Sequence, residues 1–250
     1  MTRFVRPGCS VGIIFALETE ADPFAREASD ITILRGAGGE FRVATVADRR
    51  VAWGVSGAGV HAASRMATML LEGHRPGLVV SAGFAGGLDP QIPRGALVIA
   101  ARACRIGHPS HDLHPTPTGL FGSIGCERIV TVDAVVTTVE EKRRLRESSG
   151  AAIVDMETHG VAAVAAGHHA ACLSLRVVSD GASDELPADI ARLVAPQSPM
   201  RRAGAALAAI GRKPTSAATM WRLWENAVVD GRTLAAAIVQ AVAAFPAETG

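Results

Sequence analysis

The sequence holds no tyrosine, and aromatic residues make up only 4% of its 250 positions. A core of ordinary size must therefore be built from Ala, Val, Leu and Ile, which the 48% hydrophobic content supplies. An excess of charge is missing too, since 25 basic residues stand against 24 acidic ones for a net charge of +1. That balance gives no electrostatic reason to expect nucleic-acid or anionic-membrane binding. Cys9, Cys104, Cys126 and Cys172 form no CxxC pair. This argues against a metal or redox centre and for free, at least half-buried thiols in a reducing compartment. No cofactor is expected. The first ten residues carry two arginines but no apolar run long enough for a signal peptide. No window approaches the roughly 20 uninterrupted apolar residues of a membrane span. A soluble, cytoplasmic protein is the expectation.

What is present is an alternation of short apolar runs with glycine turns and helical stretches. Val11 to Leu17 reads as a strand buried on both faces, leading into Glu18-Thr-Glu20 and an amphipathic stretch to Ala28. Ile31 to Arg50 reads as antiparallel strands with tight turns. Val51 to Val55, the turn Ser56-Gly-Ala-Gly59 and a helix from Val60 to Glu72 make one βα unit, whose turn aims backbone N–H groups at an anion or sugar oxygen. Gly77 to Asp89 repeats the pattern with Gly83, Gly86 and Gly87 at the strand's end, and Arg94 to Ala101 is the next strand. His108 to Gly125 lacks periodicity and reads as a long loop. His108, His111 and His114 lie in it without the carboxylate or cysteine framework of a metal site.

Further strands are expected over 129–136, 151–154 and 171–179, with a Thr-capped charged helix over 138–146 and a small-residue helix over 156–167. Ala-rich helices over 200–210, 216–228 and 231–245 are separated by Gly-Arg-Lys-Pro and Asp-Gly. Trp221, Leu223 and Trp224 suggest peripheral membrane contact, with ordinary helix packing as the plainer alternative.

Acids interrupt these runs at strand ends, where open α/β sheets hold ligands. Asp155 and Glu157 follow one strand, and Asp180 ends Leu175-Arg-Val-Val-Ser-Asp180. For Glu20 two readings stay open: a site acid at the first strand's tip, or a helix N-terminal acid favoured by the macrodipole.

The motif order resembles the purine/uridine phosphorylase and 5′-methylthioadenosine/S-adenosylhomocysteine nucleosidase superfamily over nearly the whole chain to about Pro187. Gly12-Ile-Ile-Phe-Ala-Leu-Glu-Thr-Glu20, Ser56-Gly-Ala-Gly59, Gly83-Phe-Ala-Gly-Gly-Leu88, and Val154-Asp-Met-Glu157 with Arg176-Val-Val-Ser-Asp180 carry the resemblance. Within the superfamily the chain is most similar to the hopanoid-associated phosphorylases, thought to remove adenine from adenosylhopane. The resemblance implies a three-layer α/β/α fold around a twisted mixed sheet, plus C-terminal helices. It implies a nucleoside phosphorylase-like domain over 1–195, a helical extension over 196–250 packed on it, and a homo-oligomer.

The resemblance also implies roles. Asp180 protonates or hydrogen-bonds purine N7, and Glu157 holds the ribose hydroxyls. Met156 lies against the sugar, unless it is core packing instead. Val135 and Val136 flank the base, Ser179 and the turn residues Gly83 and Phe84 complete the binding site, and Arg176 orients the carboxylates from behind. Bacterial purine phosphorylases bind phosphate with an Arg and a Ser at positions that read Ser81 and Phe84 here. Glu20 matches the acid that activates water in the nucleosidases. The residues therefore favour hydrolysis, although the most similar subfamily is named for phosphorolysis. Phe84 makes the mouth more apolar, which suits a lipid-like 5′ group. The alternatives are a methylthioadenosine/adenosylhomocysteine nucleosidase, a purine nucleoside phosphorylase, or a non-catalytic nucleoside binder.

Overall fold

Val11-Gly-Ile-Ile-Phe15 is apolar at every position because both its faces are covered. A computed structural model describes residues 9–36, 39–114, 122–187 and 214–245, with side chains from 227 onward in the last segment. The run is β1 (Val11–Phe15), buried throughout. It leads into α1 (Glu18–Ala25), β2 (Ser29–Gly36), β3 (Gly39–Val46), β4 (Arg49–Val55) and α2 (Val60–His74). Then follow β5 (Leu78–Gly87), β6 (Leu97–Cys104), the two-residue β7 (His111–Asp112), β8 (Ile124–Thr131), α3 (Val139–Ser149), β9 (Ile153–Asp155), α4 (Thr158–Gly167), β10 (Ala171–Asp180) and α5 (Pro214–Ala244).

The sheet is mixed and runs β10-β6-β8-β9-β5-β1-β4-β3-β2, with β10 also pairing β5. That extra pairing closes β5, β10, β6, β8 and β9 into a ring, from which β1 to β4 extend as an open flank. Along one edge, β5 gives residues 78–81 to β1 and its last two, Gly86 and Gly87, to β9. Its other edge is paired with β10 throughout.

Alternation sorts the side chains between two helical layers. Val11, Ile13, Phe15, Val80 and Leu175 join α1 and α5 in one core. Ile14, Val79 and Val98 join α2 and α4 in the other. The three-layer α/β/α expectation holds. The few aromatics are concentrated where α1 meets the sheet: Phe24 packs edge-on against Trp53 at 5.4 Å and tilted against Phe15 at 5.9 Å. Such fully buried side chains contribute about 1.5–3 kcal/mol each, and here they fix the helix that carries Glu20.

Three expectations shift. The strand placed over 129–136 is β8, Ile124–Thr131, because its partner β9 ends at Asp155, whose carbonyl takes the last bond, from Val132 N–H at 2.9 Å. Within the expected long loop, β7 pairs β6, and residues 115–121 lie outside the described set. The break at Asp230-Gly231 is absent, and α5 runs through it. Tertiary contacts outweigh the turn signal there. Buried Asp230 accepts from Arg94 Nη2 at 3.0 Å, and a Cβ on Gly231 would come within 2.9 Å of Pro23 Cγ, so glycine lets α5 approach α1. The proposed helix over 200–210 and the 195/196 boundary lie outside the described residues, and Trp221, Leu223 and Trp224 outside the described side chains.

No uninterrupted apolar run of membrane-spanning length is expected from the sequence, and Asp230 and Arg232 interrupt the most apolar stretch of α5. Ala227–Ala244 is long and apolar enough to cross a membrane by length and composition, but Leu234, Ile238 and Val242 are buried against α1 and the sheet.

Gly160 of α4 sits against α2, where a Cβ would lie 2.7 Å from the Val60 carbonyl oxygen and 2.6 Å from Ser64 Oγ. Gly160→Ala is expected to lower stability by about 1–3 kcal/mol, measured by urea unfolding, because backbone cannot yield as a flexible side chain can. An unchanged urea midpoint would show that the helix pair separates freely.

Candidate active site

The strand ends converge on one cavity of about 180 Å³. It is lined by Ala16 and Leu17 after β1, Glu20 of α1, the β5 end, Val132 to Val136 in part, Val154 to Glu157, and Ser179, Asp180 and Leu186. Glu20, Phe84, Val135, Val136, Met156, Glu157, Ser179 and Asp180, all expected at a site, lie on its wall. Gly83 and Arg176 do not, and sit behind it.

Glu20 answers to both of its readings. Oε2 accepts from the N–H groups of Leu17 at 2.8 Å and Ala16 at 3.0 Å, closing the start of α1. Oε1 accepts from Phe84 N–H at 2.9 Å, which ties the helix to the β5 tip. Burial pushes its carboxyl above the ordinary range, against the pull of these amides and the Arg176 charge.

Glu157 lies two residues beyond β9, at the position before α4 begins, and its Oε1 accepts from Gly59 N–H at 2.9 Å. The glycine turn before α2 thus aims an amide at a carboxylate on the cavity wall. Burial, and next the Asp155 charge, push the Glu157 carboxyl up to about 7, with Arg176 and the Gly59 amide pulling the other way.

Behind the wall, Arg176 is only 1% exposed. Its Nη2 donates to Asp155 Oδ2 at 2.6 Å and to Ser81 Oγ and Thr158 Oγ1, both at 2.8 Å. Burial works against its charge, but Asp155, Glu157 and Glu20 outweigh that and raise its pKa. Asp155 is saturated: besides Arg176 it accepts from Thr131 Oγ1 at 2.7 Å and Thr158 N–H at 2.8 Å. Its oxygens are thus taken up within the protein, although it too borders the cavity. Gly83 is glycine because a Cβ there would stand 2.6 Å from both Arg176 Nη1 and Glu20 Oε1.

Asp180 closes the far side. Its Oδ1 accepts from Ser179 Oγ at 2.7 Å, and its Oδ2 pairs with Lys142 Nζ at 2.6 Å. Lys142 was missed by sequence reasoning, as were Val132, Ala134 and Leu186 on the wall. His108 and His111 lie away from the cavity, their rings 5.8 and 5.0 Å from that of His159, which bonds the Pro109 carbonyl oxygen through Nε2 at 2.9 Å. No Arg, Lys or His lines the cavity among the described residues.

Known proteins resemble this chain in sequence over part of its length and in fold over nearly all of it. A methylthioadenosine/S-adenosylhomocysteine nucleosidase of Tolumonas auensis is 36% identical over 109 residues, 44% of this chain and 45% of that protein. One from Shewanella putrefaciens is 34% identical over 44% of this chain and 45% of its own length. The chain thus spans under half the length of the relatives it matches. Among solved structures, the S-adenosylhomocysteine nucleosidase of Streptococcus pyogenes, in complex with 5-methylthiotubericidin, superimposes with a TM-score of 0.74 at 15% identity, covering 97% of this chain and 100% of that one. The Neisseria meningitidis nucleosidase, in complex with methylthio-immucillin-A, gives 0.71 at 15%, covering 93% and 98%. At such identity the likeness shows the fold. The family model described as the phosphorylase superfamily matches residues 10–123 and 124–211. On that match the chain belongs to the phosphorylase superfamily.

Proposed function

We propose that the protein hydrolyses the bond between a purine and its ribose, releasing adenine from a 5′-substituted adenosine. One observation carries the reading: Glu20, Glu157 and Asp180, from three separate elements, converge with Asp155 on a single cavity whose remaining wall is mostly apolar. In the step we envisage, water attacks C1′ and gives a proton to Glu20 as the C1′–N9 bond breaks. The bonding pair passes into the purine, whose N7 takes a proton from Asp180. Glu157 holds the ribose hydroxyls and offsets positive charge on the sugar. Met156, Val135, Val136 and Phe84 supply the apolar walls, Ser179 steadies Asp180, and Gly83 leaves room for Arg176 to brace the acids.

Water is favoured over phosphate by charge. A phosphate anion would enter a cavity with four carboxyl groups and, among the described residues, no basic side chain on its wall. Arg176 is already committed to Asp155, Ser81 and Thr158, so the bidentate guanidinium contact that phosphate sites use is not on offer. The relatives named as nucleosidases favour the same direction.

The apolar wall, including Leu17, Phe84 and Leu186, suits a lipid-like 5′ substituent such as that of adenosylhopane. A methylthio or homocysteine substituent is the second reading, favoured by the names of the relatives. The proposal extends to a cytoplasmic homo-oligomer whose catalytic domain spans 1–195, with 196–250 packed upon it. The burial of Leu234, Ile238 and Val242 under α1 supports that packing.

Adenine release assayed on adenosylhopane, methylthioadenosine and adenosylhomocysteine, with and without phosphate, tests the reading. Free ribose-type product at an unchanged rate in both buffers is expected, and a phosphate-dependent sugar phosphate would overturn hydrolysis. Asp180→Asn should lower kcat by about 10²–10⁴ with the fold intact by circular dichroism; unchanged release would remove Asp180 from the reaction.

The Glu157 carboxyl also makes a stability prediction. Folded, it keeps its proton up to about 7, whereas unfolded it loses it near the ordinary 4.5. Below 4.5 both states are protonated, so stability falls as pH rises from there to about 7 and is flat beyond. In urea titrations between pH 4.5 and 8, Glu157→Gln is expected to lose part of this fall and to be more stable than the wild type at pH 8. Parallel curves for the two proteins would count against it.

A further inference from the structure

The helix α3 is the most polar of the described helices, and one of its residues is buried: Lys142, at 1% exposure. A lone ammonium taken out of water is costly unless every donor finds an acceptor. Here all three do. Nζ donates to Asp180 Oδ2 at 2.6 Å, to the Gly181 carbonyl at 2.7 Å and to the Asp184 carbonyl at 2.8 Å. The helix is set to deliver it. Thr138 and Glu141 form a reciprocal cap, in which Thr138 Oγ1 accepts from Glu141 N–H at 3.2 Å and Glu141 Oε2 accepts from Thr138 N–H at 3.0 Å. Lys142 then lies one turn on, facing inward. The chain after β10 is held from the same side, since Leu186 N–H donates to the Thr137 carbonyl at 2.9 Å.

We infer that Lys142 is a positioning residue for departure of the purine, acting through Asp180. The inference rests on the N-glycosidase reading above. When the C1′–N9 bond breaks and the Asp180 proton passes to N7, a carboxylate is left behind in a place largely closed to water. Lys142 meets the oxygen that acquires that charge, already in contact, so no reorganisation is needed as the charge forms. Ser179 Oγ meets the other oxygen at 2.7 Å. Two of its three bonds go to carbonyls of the chain after β10, so fastening that segment to α3 is the alternative task, and only the third meets a charge. The buried charge has its reason in the charge on Asp180.

The leaving group separates the two tasks. A purine needs a proton to depart, whereas 4-nitrophenolate leaves as an anion without one. Lys142→Met and Lys142→Gln are therefore to be assayed on a 5′-substituted adenosine and on 4-nitrophenyl β-riboside. Adenine release should fall about 100-fold in kcat, with KM changing far less, and release of 4-nitrophenolate should fall much less. In an Asp180→Asn background, Lys142→Met should add little further loss on the adenosine. Equal loss on both substrates in both variants would make Lys142 a fastening only and overturn the inference, as would no loss at all. Wild-type protein that releases no adenine from any of the nucleosides overturns the underlying reading, and the inference with it.

Discussion

A guanidinium removed from water governs the architecture of this protein. Arg176 lies on β10, the strand that closes the ring, and its hydrogen bonds reach Ser81 on β5, Asp155 on β9 and Thr158 on α4. No one of these elements could place such a charge in the interior alone, because the desolvation of one ion far exceeds any single hydrogen bond. Together they satisfy it, and the positive charge makes a neighbourhood in which Glu20 and Glu157 can be buried. The acids facing the cavity depend on a cation that does not face it.

The arrangement is unfavourable for the free protein and favourable for chemistry. Burial raises the carboxyls of Glu20 and Glu157, with amides from Leu17, Ala16, Phe84 and Gly59 only partly compensating. Perturbed acids in an apolar cleft are what acid–base catalysis needs at neutral pH. By contrast, the ion pairs of Arg143 with Glu140 and Glu147 stand in water on the outer face of α3 and contribute little. In this chain, charge matters where water is absent.

Much of this was legible in the sequence, and the reasons differ by element. Apolar runs bounded by glycine gave β1, β4, β5 and β10 within a few residues, since strands buried on both faces leave a continuous hydrophobic signal. Thr138 announced α3 because capping is local chemistry. Acids near strand ends pointed to the cavity that Glu20, Asp155, Glu157 and Asp180 line, because little else brings a carboxyl to the end of a buried strand. What stayed hidden was set by distant partners. Gly231 reads as a turn and proves to be a contact point for Pro23. Lys142 reads as one more charge on a charged helix, and only its stripe with Thr138 and Leu145 hints that it points inward. Val132 and Ala134 read as strand but lie beyond the end of β8, on the cavity wall.

Closing the ring has a consequence for how the chain reaches its native state. β5 and β10 are paired from Leu78–Ala171 onward, across more than ninety intervening residues. Such a long-range pairing carries a high loop-closure cost, and folding dominated by such pairings is slow. During synthesis from the N-terminus, Glu20, Asp155 and Glu157 all emerge before Arg176 does. Until then those acids lack the cation that shelters them in the native protein. The arrival of β10 supplies charge, edge and final strand at once, and leaves α5 to close the layer over α1 and the sheet.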